Sequence, residues 1–382
     1  ASMLAGAPAS SQRFGIGNMP GFGFQAMTPG DLDGSILPPA GSPGLFMRHR
    51  DTEAHGPAGL PDTDFLEIWE FSVDWTDPAD STLTGPTNIV VTDFDSELCG
   101  FFSFNCVPQP NSSVRLDPLR EVIMFRLQYR NFGSFEALVG NLVTDTDGTD
   151  HAGVRWFELR DGGTGWDLHQ EGTFAPDEDH RWMGSIAMDA IGNIGLGYNV
   201  SSESVPPGLR YTGRLVSDPL GTMGQPETEL VAGSSANSSN RYGDYAAMSV
   251  DPVDDCTFWF TGQYNPGSAW STRIGSFKFD NCSADPDFTI NPKPQERQVC
   301  SPDDAVFIVD VGSVQGFDGE VALGITGEPA GSTVSFDPDS VDAGQSSVLT
   351  LGGIAAVIPG TYDLEISGVA TPGTRMGSAR LL

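Results

Sequence analysis

Two stretches of this sequence match each other sixty positions apart, and they decide the fold. Residues 181–189 read RWMGSIAMD and residues 241–249 read RYGDYAAMS. Each stretch is followed by a turn, then an apolar strand, and then a further strand that contains an arginine and a glycine. A unit of three or four short strands that recurs along a chain is typical of a β-propeller, in which each repeat forms one sheet, or blade. The repeat therefore predicts an all-β protein built from blades.

The blades are expected over residues 1–282. Segments rich in strand-forming residues recur along this part of the chain, and the two matching stretches begin its last two sheets. We expect the innermost strands near residues 22, 122, 185 and 245, which gives about four visible blades with a long insertion in the first. Residues 13–17 are expected either to complete the last sheet and so close a ring, or to end a blade that begins earlier. The prediction is a propeller that is incomplete at its N-terminus and part of a larger ring.

Residues 283–382 have a different composition and predict a second domain. A proline-rich connector, residues 285–297, leads into segments with alternating apolar residues, such as VALGI at 321–325 and YDLEI at 362–366. About seven such strands in about 100 residues are typical of an immunoglobulin-like (Ig-like) β-sandwich. The Cys–Trp–Cys core of antibody domains is missing, so we expect an Ig-like module of another kind. Its last strand reaches residue 382, and we expect the natural chain to continue beyond it.

The charge of the chain limits its function. The 382 residues include 51 Asp and Glu against 19 Lys and Arg, a net charge of −32 at pH 7. Such a surface repels phosphate backbones and anionic membranes, which argues against nucleic-acid binding. No run of about 18 apolar residues is present, so no membrane insertion is expected. The acidity leaves three explanations open: plain solubility, high-salt surroundings and calcium binding.

The five cysteines indicate an oxidising compartment. Cys99 and Cys106 flank a short loop, while Cys256 begins a strand and Cys282 ends the next strand but one, so both pairs can form disulfides. A metal site is a poor alternative for them, because the chain has no CxxC motif and no histidine at ligand spacing. Cys300 is left over, and we expect either a buried thiol or a bond to material outside this chain.

Several segments resemble an uncharacterised family of large secreted bacterial proteins that contain a β-propeller. The resemblance covers nearly all of residues 1–282 and is carried by DLDG at 31–34, PPAGSPGLF at 38–46, LEIWEFSVDW at 66–75, GVRWFELR at 153–160, YTGR at 211–214, CTFWFT at 256–261 and the two matching stretches. It implies that the propeller begins well before residue 3 and that this chain holds its C-terminal blades. Residues 284–382 are similar to the Ig-like modules that often follow such propellers. The family has no agreed activity or catalytic residues, so the resemblance implies none here.

One acidic loop is the best metal candidate. Asp145, Asp147 and Asp150 stand around Gly148 in the segment DTDGTD at 145–150. Alternate aspartates around a glycine turn can direct carboxylates at one hard cation, and Ca²⁺ prefers six to eight oxygen ligands. Calcium is therefore the candidate cofactor. A solvated acidic turn without metal is the alternative, because no Glu completes the pattern of an EF-hand loop.

Arginines beside aromatic residues are the candidates for ligand binding. The candidates are Arg155, Trp156, Arg181, Trp182, Arg241, Tyr242 and the nearby Asp244. An arginine next to an aromatic ring can hold a sugar or a carboxylate. The alternative is structural, since arginines that recur at one position of each blade usually form ion pairs between blades. A glycosidase would need two carboxylates at about 5–10 Å across one cleft. The acids on or beside strands are Glu67, Glu70, Glu158 and Asp244.

These observations favour a non-enzymatic protein that is extracellular or on the cell surface. We expect it to act in surface display, adhesion or assembly, with the propeller as a binding or structural scaffold. Its expected partner is another extracellular protein or the N-terminal part of the same precursor, and carbohydrate is a further candidate. The alternative is a secreted polysaccharide-active hydrolase or lyase with its site at the central channel. That alternative predicts a funnel with at least two carboxylates, or a Tyr/His pair, near exposed tryptophans; a funnel filled with apolar side chains would exclude it.

Overall fold

A computed structural model describes most of the chain. The described residues are 12–19, 27–34, 36–39, 41–56, 63–100, 103–267, 269–282, 286–300, 303–314 and 316–382. Within these residues the chain is rich in β-strands and has very little helix. The helical segments are α1 (Thr52–His55) and the 3-10 turns Pro78–Asp80 and Ile354–Ala356. The all-β prediction is confirmed, and none of the described helices is long and apolar enough to cross a membrane.

The first eight strands form two antiparallel meanders that share one sheet. The first meander consists of β1 (Thr28–Asp33), β2 (Gly44–Arg50), β3 (Asp64–Ser72) and β4 (Thr82–Val91). The second consists of β5 (Leu127–Asn131), β6 (Glu136–Asp145), β7 (Ala152–Asp161) and β8 (Trp166–Phe174). In each meander every strand pairs with the next one along the chain. The two first strands, β1 and β5, pair in parallel, with Gly30 opposite Leu127, so the meanders join at their inner strands.

The two matching stretches of sequence begin the third and fourth meanders. The third consists of β9 (His180–Met188), β10 (Ile194–Ser201), β11 (Gly208–Arg214) and β12 (Thr228–Val231). The fourth consists, within the described residues, of β13 (Ala247–Val250), β14 (Phe258–Tyr264) and β15 (Ser271–Phe277). Both are again antiparallel and follow chain order. The repeat in the sequence is therefore a repeat of sheets, and the fourth sheet has one strand fewer.

Successive meanders pack face to face, and each pair shares an apolar core. The second meander shows how this works, because side chains alternate between the faces of a strand. In β7, Phe157 and Leu159 belong to the core shared with the first meander, while Val154 and Trp156 belong to the core shared with the third. The third and fourth meanders share a core of their own, which includes Leu209, Met248, Phe258 and Phe260. The four meanders thus form a continuous series joined by three cores.

A long insertion between β4 and β5 packs across several of the meanders. The disulfide Cys99–Cys106 closes a loop within it. Its apolar residues pack on the third and fourth meanders in one core, formed by Leu98, Val107, Leu116, Val122, Met124, Trp182, Met183 and Tyr242, among others. Hydrogen bonds tie the insertion to the segment before β13: the Asp117 amide donates to the Asn240 carbonyl at 2.9 Å. The first and fourth meanders are therefore connected through the insertion.

The C-terminal residues form two further sheets around a separate core. One sheet has the order β16 (Asp287–Lys293), β18 (Ala305–Val314), β22 (Ser346–Gly352) and β20 (Thr333–Asp337). The other has the order β17 (Glu296–Arg297), β24 (Gly373–Leu381), β23 (Tyr362–Ala370), β19 (Glu320–Thr326) and β21 (Ser340–Asp342). Along β18, Phe307 and Val309 are buried while Val306 and Ile308 are exposed. This alternation places one face of the sheet against Leu364 and Ile366 of the other.

The C-terminal sheets contact the meanders through a cluster of buried residues and through hydrogen bonds. The disulfide Cys256–Cys282 belongs to a cluster of buried residues that includes Ile191 and Val314. On the other side, the Arg160 guanidinium donates to the Asn291 side-chain oxygen at 2.7 Å. The two disulfides join the pairs that the sequence positions favoured.

Three expectations need comment. The innermost strand expected near residue 22 falls on residues outside the described ranges; the first described strand is β1. Residues 13–17 do not complete the last sheet, because the Phe14 ring packs edge-on against Phe71 of the first meander and the Gly17 carbonyl accepts from Arg48. The expectation of a buried thiol at Cys300 is wrong, since this free cysteine is exposed.

Candidate functional site

The arginine–aromatic pair in β7 is part of the packing between sheets. Trp156 is 1 % exposed and lies in the core between the second and third meanders. Arg155 pairs with Glu171 of β8 and donates to the Thr92 carbonyl at 2.7 Å. Burial is the main cause that lowers the pKa of Arg155 from its ordinary value. Neither side chain is available to a ligand.

The pair at the start of β9 is buried as well. The Arg181 guanidinium donates to the carboxylates of Glu227 and Asp177, with Nε–Oε1 and Nη1–Oδ1 distances both of 2.8 Å. Burial alone would lower the pKa of Arg181, but these charged hydrogen bonds outweigh it and raise the pKa. Trp182 is completely buried in the core under the insertion. Both residues therefore have a structural role, but the ion pairs of Arg181 lie within its own meander and the segment before it, not between blades as the alternative expected.

Of the equivalent residues before β13, the aromatic one is buried and the arginine is not. Tyr242 is 2 % exposed, and its ring centroid lies 6.4 Å from that of Trp182. Burial raises the pKa of Tyr242 above its ordinary range. Arg241 is exposed and pairs with Asp244 three residues later. The repeated aromatic position is therefore part of the packing between sheets.

The insertion packs apolar side chains on the two matching stretches. Val107, Leu116 and Met124 of the insertion belong to one core with Trp182 and Tyr242. All five side chains are at most 3 % exposed. This core therefore offers no carboxylates of the kind that the enzymatic alternative requires.

Charged and polar residues at β5 and just before it form hydrogen bonds with three other meanders. Arg126, immediately before β5, donates to Asp33 of β1 with Nη1–Oδ2 at 2.5 Å, and Arg130 of β5 pairs with Asp255 through two bonds of 2.6 and 2.8 Å. The side-chain amide of Gln128 donates to the Met188 carbonyl and accepts from the Met188 N–H at the end of β9. Residues 126, 128 and 130 thus connect the second meander to the first, third and fourth meanders. These carboxylates are neutralised by arginine, so they offer no acid–base pair for hydrolysis.

The acidic loop between β6 and β7 uses its carboxylates to hold its own shape. Asp145 accepts from the backbone amides of Asp147 and Gly148 through Oδ1 and of Asp150 through Oδ2. Asp150 accepts from the Cys99 amide at 2.5 Å, which ties the loop to the first disulfide. Hydrogen bonds from Thr149 lower the pKa of Asp147 below its ordinary value. Calcium at this loop stays a prediction, and the alternative of an acidic turn accounts for these hydrogen bonds.

A second acidic group was not found from the sequence, because Asp64 belongs to the strand that follows α1 and only the fold brings it back to Asp51 and Glu53. Asp51, Glu53 and Asp64 each bring a carboxylate oxygen within 4.8 Å of the others, and no other group of three does so among the described residues. Burial raises the pKa of Asp64 to about 7. The group borders a cavity of about 390 Å³ that Asp93 and Asp95 also line. These oxygens could hold a hard cation.

The fourth meander presents an uncovered sheet face. Phe258 and Phe260 of β14 are buried against the third meander, so Trp259, which lies between them, points the other way. Trp259 is 42 % exposed, and Ile274 of β15 is 65 % exposed on the same face. The sequence FWF carries the signal for this feature, because a strand that is apolar in both phases of the alternation has two faces to bury.

The comparisons with known proteins provide no relative that explains the chain. No protein-family model matches it, and no curated protein does. Among solved structures, domains 4 and 5 of the S-layer protein SbsC are 14 % identical, covering 53 % of this chain and 98 % of that chain at a TM-score of 0.21. A structure of domains 1–6 of surface layer protein SbsC is 11 % identical at the same TM-score, and the match spans 89 % of this chain but only 48 % of that one. Likenesses this weak carry no argument about fold or function.

Proposed function

We propose that this protein is an extracellular structural protein that assembles through the uncovered face of its fourth meander. The face consists of Trp259, Thr261 and Gln263 of β14 and Thr272, Ile274 and Ser276 of β15. None of these six residues is charged, although the chain has a net charge of −32, and the contacting acid Asp251, just after β13, accepts from the Trp259 indole N–H at 3.0 Å. An uncharged face with exposed apolar side chains is typical of a protein interface. This is the observation that carries the proposal.

The occupant that fits this face is another β-sheet. Each of the other three meanders has a neighbouring sheet or segment against the equivalent side, and the three cores between them are all formed by sheet faces. The fourth meander continues that series and ends it without a neighbour among the described residues. We propose that the same face of a second copy occupies the place, which gives a symmetric dimer. Two copies of an uncharged face can meet without electrostatic repulsion. Two copies of the remaining, acidic surface repel each other.

We further propose the finer architecture that the sequence suggested. The four meanders would be blades of a β-propeller, part of a larger ring, and the C-terminal sheets an Ig-like sandwich. Antiparallel meanders in chain order with adjacent inner strands support the first proposal, and two sheets on one core support the second. Membership of the secreted bacterial propeller family belongs to the same proposal. Under it, the N-terminal part of the precursor is the rival occupant of the open face.

The proposed location outside the cell rests on the two disulfides. Disulfides persist in oxidising compartments and are rare in the cytoplasm. Both disulfides are formed in the structure. Cys256–Cys282 belongs to a buried cluster, where reducing agents have little access. The polysaccharide-active alternative is not proposed, because the carboxylates of Asp33 and Asp255 beside the inner strands are paired with Arg126 and Arg130. Carbohydrate as a ligand stays a prediction that a glycan array would test.

The mass of the purified protein in solution tests the proposal. We expect sedimentation velocity to detect a dimer whose fraction rises with protein concentration and with salt, because salt screens the repulsion between acidic copies. Ile274→Glu places a charge in the centre of the face and should leave the protein monomeric. Val369→Glu is the matched control, since Val369 is 51 % exposed on a strand of the C-terminal sheets. It should dimerise like the wild type.

Two outcomes would overturn the proposal. One is a wild-type protein that remains monomeric at every concentration and salt tested. The other is a dimer that Ile274→Glu and Val369→Glu affect equally. Circular dichroism of both variants distinguishes loss of the dimer from loss of the fold, because an exposed substitution on a strand should leave the spectrum unchanged.

A further inference from the structure

A cleft of about 220 Å³ opens between the first and second meanders, away from the face proposed above. Three acids contribute to its wall: Glu70 of β3, Glu136 at the start of β6 and Asp161 at the end of β7. Two aromatic residues, Tyr129 and Trp166, also line the cleft. Apolar residues, including Leu32 and Leu45, line the remainder. A concave site with apolar walls and a few convergent polar groups is the usual form of a ligand pocket.

The strand register brings these side chains together. Glu136 lies directly opposite Asp161 in the β6–β7 pair, and Asp161 lies opposite Trp166 in the β7–β8 pair. Facing residues share one side of a sheet, so the three side chains form a row. Tyr129 donates its hydroxyl proton to Glu136 at an O–O distance of 2.5 Å and is 6 % exposed. Its ring meets that of Trp166 edge to face, with centroids 6.4 Å apart.

The cleft has an unbalanced negative charge. Two carboxylates that face each other across a strand pair destabilise the sheet unless a cation compensates them. All 19 lysines and arginines lie within the described ranges, and none forms an ion pair with Glu70, Glu136 or Asp161. The neighbouring buried acids differ, since Glu67 pairs with Arg48 and Glu158 pairs with Arg160. Hydrogen bonds from the amides of Gly163, Thr164 and Gly165 to Asp161, and from Tyr129 to Glu136, offset part of this charge, but no cationic side chain of the protein does.

A metal ion does not suit this arrangement. Three oxygens that bind one small cation lie within a few ångströms of each other. Among the described residues only Asp51, Glu53 and Asp64 meet a limit of 4.8 Å, so the acids of the cleft are spread more widely. A larger cation with a distributed surface suits the spacing. The aromatic rings of Tyr129 and Trp166 would stabilise it as well, through the attraction of a cation to the face of a ring.

We propose that this cleft binds one alkylammonium or guanidinium group carried on a short aliphatic chain. The cationic end lies among Glu136, Asp161 and Trp166, and the aliphatic part contacts Leu32 and Leu45. A free amine and a lysine or arginine side chain of another polypeptide share this chemistry. The inference is independent of the proposed dimer, because the cleft lies between the first two meanders and the dimer face on the fourth.

Isothermal titration with defined compounds tests the proposal. The probes are agmatine and cadaverine as free cations, N-acetyl-lysine amide and N-acetyl-arginine amide as models of a polypeptide side chain, and N-acetyl-citrulline amide as the neutral analogue of the blocked arginine. We expect saturable binding of cations that weakens with salt, and no binding of N-acetyl-citrulline amide. Tighter binding of the blocked amino acids assigns the site to a polypeptide side chain, and tighter binding of agmatine or cadaverine assigns it to a small amine.

Two variants and a control locate the binding. Glu136→Gln keeps the shape of the side chain and should weaken binding about tenfold, as expected for loss of one charge-assisted contact. Trp166→Leu should weaken it through loss of the ring. Asp167→Asn is the control, because Asp167 is an exposed neighbour that does not line the cleft. No saturable binding by the wild type, equal binding of N-acetyl-citrulline amide, or equal weakening by Asp167→Asn would overturn the proposal.

Discussion

The rings of Trp182 and Tyr242 lie 6.4 Å apart between centroids, although the two residues are sixty positions apart in the sequence. They occupy the same place in the two matching stretches, and the insertion between β4 and β5 covers both. One repeated aromatic position thus joins the third meander, the fourth meander and the insertion in a single core. This explains why an arginine–aromatic pattern that suggested a binding site has a structural role.

Trp182→Ala should therefore destabilise the protein strongly. The side chain is completely buried, so its removal leaves a large cavity, and the expected loss in the free energy of unfolding is about 3–5 kcal/mol. Denaturant unfolding followed by circular dichroism measures it. Trp75→Ala is the control, since Trp75 is 88 % exposed and should change stability by less than about 0.5 kcal/mol. Similar effects of the two substitutions would contradict the placement of Trp182.

The buried pair of Arg130 and Asp255 should be costly to break from one side. Both side chains are less than 10 % exposed, and the pair links the second meander to the fourth. Arg130→Ala leaves an unpaired charge in the interior and should cost about 3–5 kcal/mol. The double variant Arg130→Met with Asp255→Leu should recover part of that loss, because no buried charge remains. Arg241→Ala removes an exposed pair and should cost about 0–1 kcal/mol.

Asp189 should give the stability a dependence on pH. Burial raises its pKa to about 7, although hydrogen bonds from the amides of Ile191 and Asn193 favour the ionised form. Between about pH 4 and pH 7 the folded protein holds a proton that the unfolded chain has released. The contribution of Asp189 to stability is therefore complete below pH 4 and is lost as the pH rises to 7, by up to about 4 kcal/mol.

Asp189→Asn should remove this dependence. We expect the unfolding free energy of the wild type to fall relative to that of the variant by that amount between pH 4 and pH 7. Denaturant unfolding of both proteins from pH 4 to pH 8 measures the difference. Asp167→Asn, which changes an exposed acid, should follow the wild type. Parallel profiles for the wild type and Asp189→Asn would show that burial does not shift the pKa of Asp189.

The two disulfides should contribute unequally to stability. Cys256–Cys282 closes a loop of 26 residues and Cys99–Cys106 a loop of 7. Loop-closure entropy gives about 3.5 kcal/mol for the first and about 2.4 kcal/mol for the second. Paired Cys→Ala substitutions and denaturant unfolding measure both values. Cys300→Ser should be close to neutral, because that thiol is exposed. Equal losses for the two pairs would indicate that loop length does not decide the effect.

The calcium prediction is tested by thermal unfolding with Ca²⁺ and with a chelator. Calcium that binds the folded state should raise the unfolding midpoint. Asp147→Asn should remove this effect if the ion is at the loop, and Glu53→Gln should remove it if the ion is at the group with Asp51 and Asp64. An unchanged wild-type midpoint would contradict calcium at either place.

Local patterns in the sequence were sufficient for the secondary structure. The alternation in the segments that became β18 and β23 predicts strands with one buried face, and the repeat at 181 and 241 predicts two equivalent sheets. The alternation and the repeat can both be recognised by inspecting the linear sequence, without the fold. The role of Arg181 could not be predicted in this way, since its partner Glu227 is 46 positions later. The same holds for the cleft, whose acids come from β3, β6 and β7.

The sequence by itself determined that this protein is made of short antiparallel strands, that its meanders repeat, and which cysteines can pair. Strand propensity, alternation and turn residues act over a few positions, so short segments of the sequence are sufficient to predict the strands and turns. Only the tertiary structure decided which polar groups are neutralised and which are left exposed. That depends on which sheets face each other, and it is the packing of whole meanders that buries Trp182 and leaves Trp259 and the acids of the cleft open to a partner.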